Sequence, residues 1–106
     1  MKKQDPSTLY GVIGLGRFGT ALVKTLAAAG KEVIAIDKNE GKVREVRAYT
    51  DYAFVVDNLS ETALKETGMQ NCGTVTVCIG EQIDMSILTT MLVIKLGVPN
   101  VIAKAT

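Results

Sequence analysis

The sequence predicts an α/β fold built on a doubly wound parallel sheet, and three observations carry that reading. Five short segments are nearly continuous runs of β-branched and apolar residues, the pattern of strands buried on both faces. Segments of helical spacing separate them, with connections short enough for right-handed βαβ units. The first strand ends on a glycine-rich turn that opens a helix. Together these give the spatial strand order 3-2-1-4-5. A sixth strand, which would finish such a sheet, is expected to be truncated.

Each element has its own signal. Leu9 to Ile13 is an apolar run that stops at Gly14, the first strand. Phe18 to Ala29 carries Phe18, Ala21, Leu22, Thr25 and Leu26 at helical spacing, and Gly30 supplies the stop. Glu32 to Asp37 is the second strand. Asn39 caps a helix running to about Arg47, with Val43 and Val46 facing inward. Tyr52 to Val56 is the third strand, and Ser60 to Thr67 a short helix ended by Gly68. Thr74 to Ile79 is the fourth strand, closed by Gly80. Asp84 to Leu96 is the longest helix, ended by Gly97 and Pro99, and Asn100 to Ala105 is the fifth strand. Residues 1–8 read as a disordered leader and 9–106 as one domain.

Composition narrows the function. The 106 residues suffice for a single core, and 47% hydrophobic content is that of a globular protein. Twelve basic residues against eleven acidic ones leave a net charge of +1, without the basic excess that nucleic-acid binding needs. No segment approaches the roughly 18 apolar residues of a membrane span, so a cytoplasmic protein without membrane insertion is expected. With no His and only Cys72 and Cys78, both read as small core hydrophobes, metal sites and most acid–base schemes lack their groups. Binding without catalysis is the simpler expectation.

Gly14-Leu15-Gly16-Arg17-Phe18-Gly19 fits G-x-G-x-x-G in the setting that the motif requires: a strand before, a helix after, and an acidic residue ending the next strand. Gly14 permits the tight turn, Gly16 lets backbone approach a phosphate, and Gly19 brings the helix near the sheet. The phosphates would meet the helix N-terminus. This predicts a Rossmann-type site for an adenine nucleotide. Asp37 would take the ribose hydroxyls and repel a 2′-phosphate, so NADP is disfavoured, with Lys38 beside it blunting that exclusion. Arg17 opposes the helix dipole and is read either as a phosphate partner or as a solvated side chain. Asp57 and Asn58 end the third strand as adenine-edge contacts or as turn formers, and Gly80 permits close approach after the fourth. Asp84 is read as a helix cap. Met85, Ile87, Leu88, Met91 and Leu92 are read as a core stripe in preference to a partner surface.

With those residues in place, the sequence from about Tyr10 to Ala105 resembles the N-terminal lobe of the RCK/KTN family, also called TrkA N-terminal domains. Within it, the likeness is to the cytoplasmic regulatory subunits of Ktr-type bacterial potassium uptake systems. The likeness rests on Val12 to Gly19 with its Arg-Phe pair, on Glu32 to Asp37, on Ile79-Gly80-Glu81 leading to Ile87-Leu88-Thr89-Thr90, and on Leu96 to Pro99. Leu59 and Gln82 depart from the family pattern. The resemblance implies a nucleotide-sensing lobe binding NAD(H) or ATP/ADP, a homodimer within a larger ring, and a membrane potassium channel or transporter as partner. It implies a location at the inner face of the cell membrane. Mapped onto this chain, it implies contacts from Gly14, Leu15, Gly16, Arg17, Phe18 and Gly19, from Asp37 and Lys38, and from Asp57, Asn58, Ile79, Gly80 and Lys104. The cofactor-binding half of an NAD-dependent dehydrogenase is the alternative.

Overall fold

A computed structural model of the chain describes residues 9–79 and 83–104. Five parallel strands form one sheet: β1 (Leu9–Ile13), β2 (Glu32–Asp37), β3 (Tyr52–Val55), β4 (Thr74–Val77) and β5 (Asn100–Ala103). Their spatial order is β3-β2-β1-β4-β5, as the sequence predicts. The helices are α1 (Arg17–Ala28), α2 (Glu40–Val46), α3 (Glu61–Thr67) and α4 (Ile83–Lys95).

Alternation along the strands explains why they read as unbroken apolar runs. On β2, Ile34 and Ile36 face α3 and α4 in a core with Ile13, Val75, Val77, Leu64 and Val93. Val33 and Ala35 face the other way, into a core with Val12, Ala53, Leu15, Val23, Val43 and Val46. Both faces are covered, so neither can be polar. The sheet residues beneath α1 and α2 are the smaller ones, Val and Ala, which leaves room for α1 to lie close.

Local signals place the helices. Asn39 Oδ1 accepts from the Lys42 N–H, and Ser60 Oγ from the Ala63 N–H, each side chain capping its helix. Such caps contribute about 1 kcal/mol. Gly68, at a φ of 85°, closes α3 in the left-handed conformation that glycine adopts without strain.

Four expectations change. The third, fourth and fifth strands are shorter than their apolar runs, because regular pairing ends at Val55, Val77 and Ala103. Single bonds continue beyond: Val56 N–H donates to Asp37 C=O, and Lys104 N–H to Val77 C=O. A 3-10 turn, Met69–Asn71, has no apolar periodicity to announce it, yet it buries Met69 completely. On α1 the buried positions are Gly19 and Val23, flanked by Leu22 and Leu26, so Phe18, Ala21 and Thr25 lie outside the core stripe.

The fourth change concerns α4. The core reading of its apolar residues holds only for Leu92, which packs on the cluster beside Val93. Met85, Ile87, Leu88 and Met91 are exposed, as is Ile94, with Met91 at 61%. A helix apolar on every side can turn only one face to the sheet. Asp84 also differs from its expected role, since it is the second residue of α4 and not its cap.

Candidate functional site

The candidate site forms where β1, β2 and β4 end, at the crevice that doubly wound sheets open beyond the carboxyl ends of their strands. Gly14 turns the chain out of β1 with a φ of 99°, and its N–H donates to Ile36 C=O at 2.9 Å. A Cβ at Gly14 would stand 2.8 Å from the Cys78 carbonyl oxygen. At Gly19 a Cβ would fall on the Gly14 carbonyl oxygen, a clash between two backbones that no rotamer relieves. These two glycines therefore serve the closeness of α1 to the strand ends.

Gly16 differs from both. It is the N-cap of α1, with φ −74° and ψ −160°, and nothing lies within 4 Å of where its Cβ would be. Among the described residues no side chain caps α1, and its first turn carries no acidic residue. The free N–H groups of a helix end thus face an open cleft, the arrangement that suits an anion.

Asp37 sits opposite. Its Oδ2 accepts from the Leu15 N–H at 2.7 Å, and its Oδ1 accepts from the Asn39 N–H at 2.8 Å. Each carboxylate oxygen retains lone-pair capacity for a further donor. The crevice between these groups has a volume of about 740 Å³, within the range of small-molecule sites.

The structure brings most of the expected residues to this crevice. Gly14, Leu15, Gly16, Arg17, Phe18 and Gly19 form one wall, Asp37, Lys38 and Asp57 another, and Ile79 and Lys104 a third. Phe18, 46% exposed, lies under the Lys104 ammonium, 5.4 Å from the ring centroid. Asn58 is absent from this lining and belongs to an adjoining depression between β3 and α3, with Glu66 and Thr67, whose lining also includes Asp57. Gly80 lies outside the described residues, as do Glu81 and Gln82.

Sequence reasoning missed Lys42 and Cys78, both of which line the crevice. The Lys42 N–H donates to Asn39 Oδ1 at the start of α2, and no motif in the sequence marks Lys42 as a site residue. Cys78 follows β4 directly, and burial pushes its thiol up to about 11, with Lys104 acting weakly against that. Among the described residues no group of three or more His, Cys, Asp and Glu is placed to hold a metal.

The model of the TrkA-N domain matches residues 10–106. The chain belongs to the TrkA-N domain family. This TrkA-N domain is 43% identical over 105 residues to the Ktr system potassium uptake protein C of Bacillus subtilis, covering 99% of this chain and 45% of that protein. It is 42% identical over 96 residues to the Ktr system potassium uptake protein A of the same organism, covering 91% of this chain and 43% of that one. The corresponding protein A of Vibrio alginolyticus is 36% identical, again over 96 residues, 91% of this chain and 44% of that one. The chain therefore spans less than half the length of these relatives. The TrkA-N domain of the inner membrane protein ybaL from Escherichia coli superimposes with a TM-score of 0.73 at 18% identity, over 93% of this chain and 73% of that one, a likeness of fold. Among the described residues, no helix is long and apolar enough to cross a membrane.

Proposed function

We propose that this TrkA-N domain senses an adenine nucleotide, ATP/ADP or NAD(H), as the regulatory lobe of a potassium uptake system. The observation that carries the reading is the meeting, in one crevice, of an uncapped helix N-terminus and the Asp37 carboxylate. The first suits phosphates and the second a ribose. The potassium side is supported by relatives whose names are those of Ktr potassium uptake proteins.

In this reading Gly14, Leu15, Gly16, Phe18 and Gly19 seat the phosphates, Asp37 and Lys38 flank the ribose, and Asp57 approaches the adenosine side, while Asn58 lines only the adjoining depression. Ile79, Gly80 and Lys104 close the site from the β4 and β5 ends. Asp37 repels a 2′-phosphate, which disfavours NADP. Arg17, exposed at the start of α1, reaches the terminal phosphates. The role is binding without catalysis.

Nucleotides of different phosphate charge then bias the domain between conformations that a membrane transporter subunit reads from the cytoplasmic side. A ligand moves such an equilibrium only through unequal affinity for the two states, and Arg17 supplies the inequality. The exposed apolar face of α4 supports assembly with further copies of the chain, as a homodimer within a larger ring.

Isothermal titration with ATP, ADP, NAD, NADH and NADPH at fixed salt tests the reading. Binding of ATP or NADH with NADPH weakest is the expected result. Binding by none of the five refutes it, and NADH turnover with a small substrate would favour the dehydrogenase alternative.

A further inference from the structure

Leu15 is held at three points. Its side chain is 2% exposed, packed in the core beneath α1 and α2. Its C=O accepts from the Thr20 hydroxyl at 3.0 Å. Its N–H donates to Asp37 Oδ2 at 2.7 Å, across 22 positions of sequence. Gly16, whose backbone opens the uncapped end of α1, is the next residue. The direction of the amides that face the crevice is therefore fixed by how Leu15 is held.

Of Leu15's hydrogen-bond partners, Thr20 lies on α1 and Asp37 belongs to the next βα unit. Its other oxygen accepts from the Asn39 N–H, at the start of the segment that carries Lys42 to the crevice. One carboxylate thus ties the loop after β1 to the loop after β2. A hydrogen bond to a charged acceptor is among the stronger ones that a protein forms, and this one is partly buried.

We infer that Asp37 is a positioning residue for the glycine loop, and through Leu15 governs the binding of phosphates that it does not touch. This rests on reading the crevice as a nucleotide site, and it goes beyond a ribose contact. Adenosine and phosphate halves of a ligand become cooperative, because a ribose that orders Asp37 also orders the loop.

The sign of one measurement separates the two roles. Inorganic tripolyphosphate has no ribose. Were Asp37 only a ribose acceptor, Asp37→Ala would remove a negative charge from a crevice also lined by Arg17, Lys38, Lys42 and Lys104, and tripolyphosphate would bind as well or better. As a positioning residue, its loss weakens tripolyphosphate by roughly tenfold, the scale of a lost hydrogen bond to a charged group. The test is an NMR titration of the chain with tripolyphosphate, with amide exchange at Leu15 followed in the ligand-free protein. Expected are weaker binding and faster Leu15 exchange in Asp37→Ala. Asp37→Asn, with one acceptor oxygen for two amides, should show a smaller loss of the same sign, and it decides the question if Asp37→Ala is unfolded by circular dichroism. Equal or tighter binding in the folded variants overturns the inference. A wild-type chain that binds no tripolyphosphate overturns the phosphate seat itself, and the inference with it.

Discussion

Gly16 and Gly19 lie three residues apart in one loop, yet a single methyl group should have opposite consequences at the two positions. At Gly19 the added Cβ meets the Gly14 carbonyl oxygen and comes within 3.0 Å of its carbon. Both partners are backbone, so α1 must move away from β1 and loosen its contact with Val12. Overpacking of this kind costs about 3 kcal/mol, and the better helix propensity of alanine returns about 1 kcal/mol. Gly19→Ala should therefore lose about 2 kcal/mol, which in urea is a fall of roughly 1 M in the midpoint. At Gly16 the Cβ enters open space at an ordinary φ of −74°. Gly16→Ala should cost less than about 1 kcal/mol, the scale of a changed cap residue. In the proposed site its methyl occupies the place where a phosphate would approach backbone, so ATP affinity should fall at least about tenfold, or 1.4 kcal/mol. Urea titration and calorimetry on both variants make the assay. The reasoning fails if Gly19→Ala is as stable as the wild type, or if Gly16→Ala binds ATP normally.

Other expectations follow from single groups. Arg17→Ala should narrow the ratio of ATP to ADP affinity, measured by calorimetry, because Arg17 is assigned to a phosphate that ADP lacks; an unchanged ratio removes that assignment. Burial pushes Cys72 up to about 12 and Cys78 up to about 11 from an ordinary 9.0. The folded thiols hold their protons more tightly than the unfolded chain does, so this contribution is complete below pH 9 and is lost as pH rises toward 11 and 12. The urea midpoint should accordingly fall between pH 9 and 11 more in the wild type than in a Cys72→Ala, Cys78→Ala variant. Leu88→Glu, on the exposed face of α4, should leave the circular dichroism and urea midpoint close to the wild type while lowering the sedimentation coefficient of any assembly.

The strands were legible because both faces of the sheet are covered, and a doubly covered strand announces itself as a run such as Val33-Ile34-Ala35-Ile36. Gly30, Gly68 and Gly97 were legible as helix stops, and each has a positive φ. The phase of a helix was harder to read. On α1 Gly19 packs against the end of β1, which no apolar pattern detects, and of the expected stripe Phe18, Ala21, Leu22, Thr25 and Leu26 only Leu22 and Leu26 pack on the core. On α4 the apolar residues encircle the helix, and periodicity carries no information about which side is inward. Within the site, the glycine loop and Asp37 were readable because a motif holds them at fixed spacing. Lys42 and the bond from Leu15 to Asp37 were not, since they exist only once two βα turns are laid side by side. Asn58 shows the converse: adjacent to Asp57 in sequence, it lines only the neighbouring depression, whereas Asp57 lines both.

The bare start of α1 has a consequence for how occupancy could be seen. Asn39 and Ser60 finish their helices with side-chain oxygens, but the longer α1 begins at a glycine and carries Arg17 where an acid would be favourable. Among the described residues no side chain completes that helix end, and a bound phosphate would take the place of its cap. Ligand and helix would then melt as one unit. A ligand at a hundred times its dissociation constant should raise stability by about 2.7 kcal/mol, so a thermal melt would serve as a direct gauge of how full the site is.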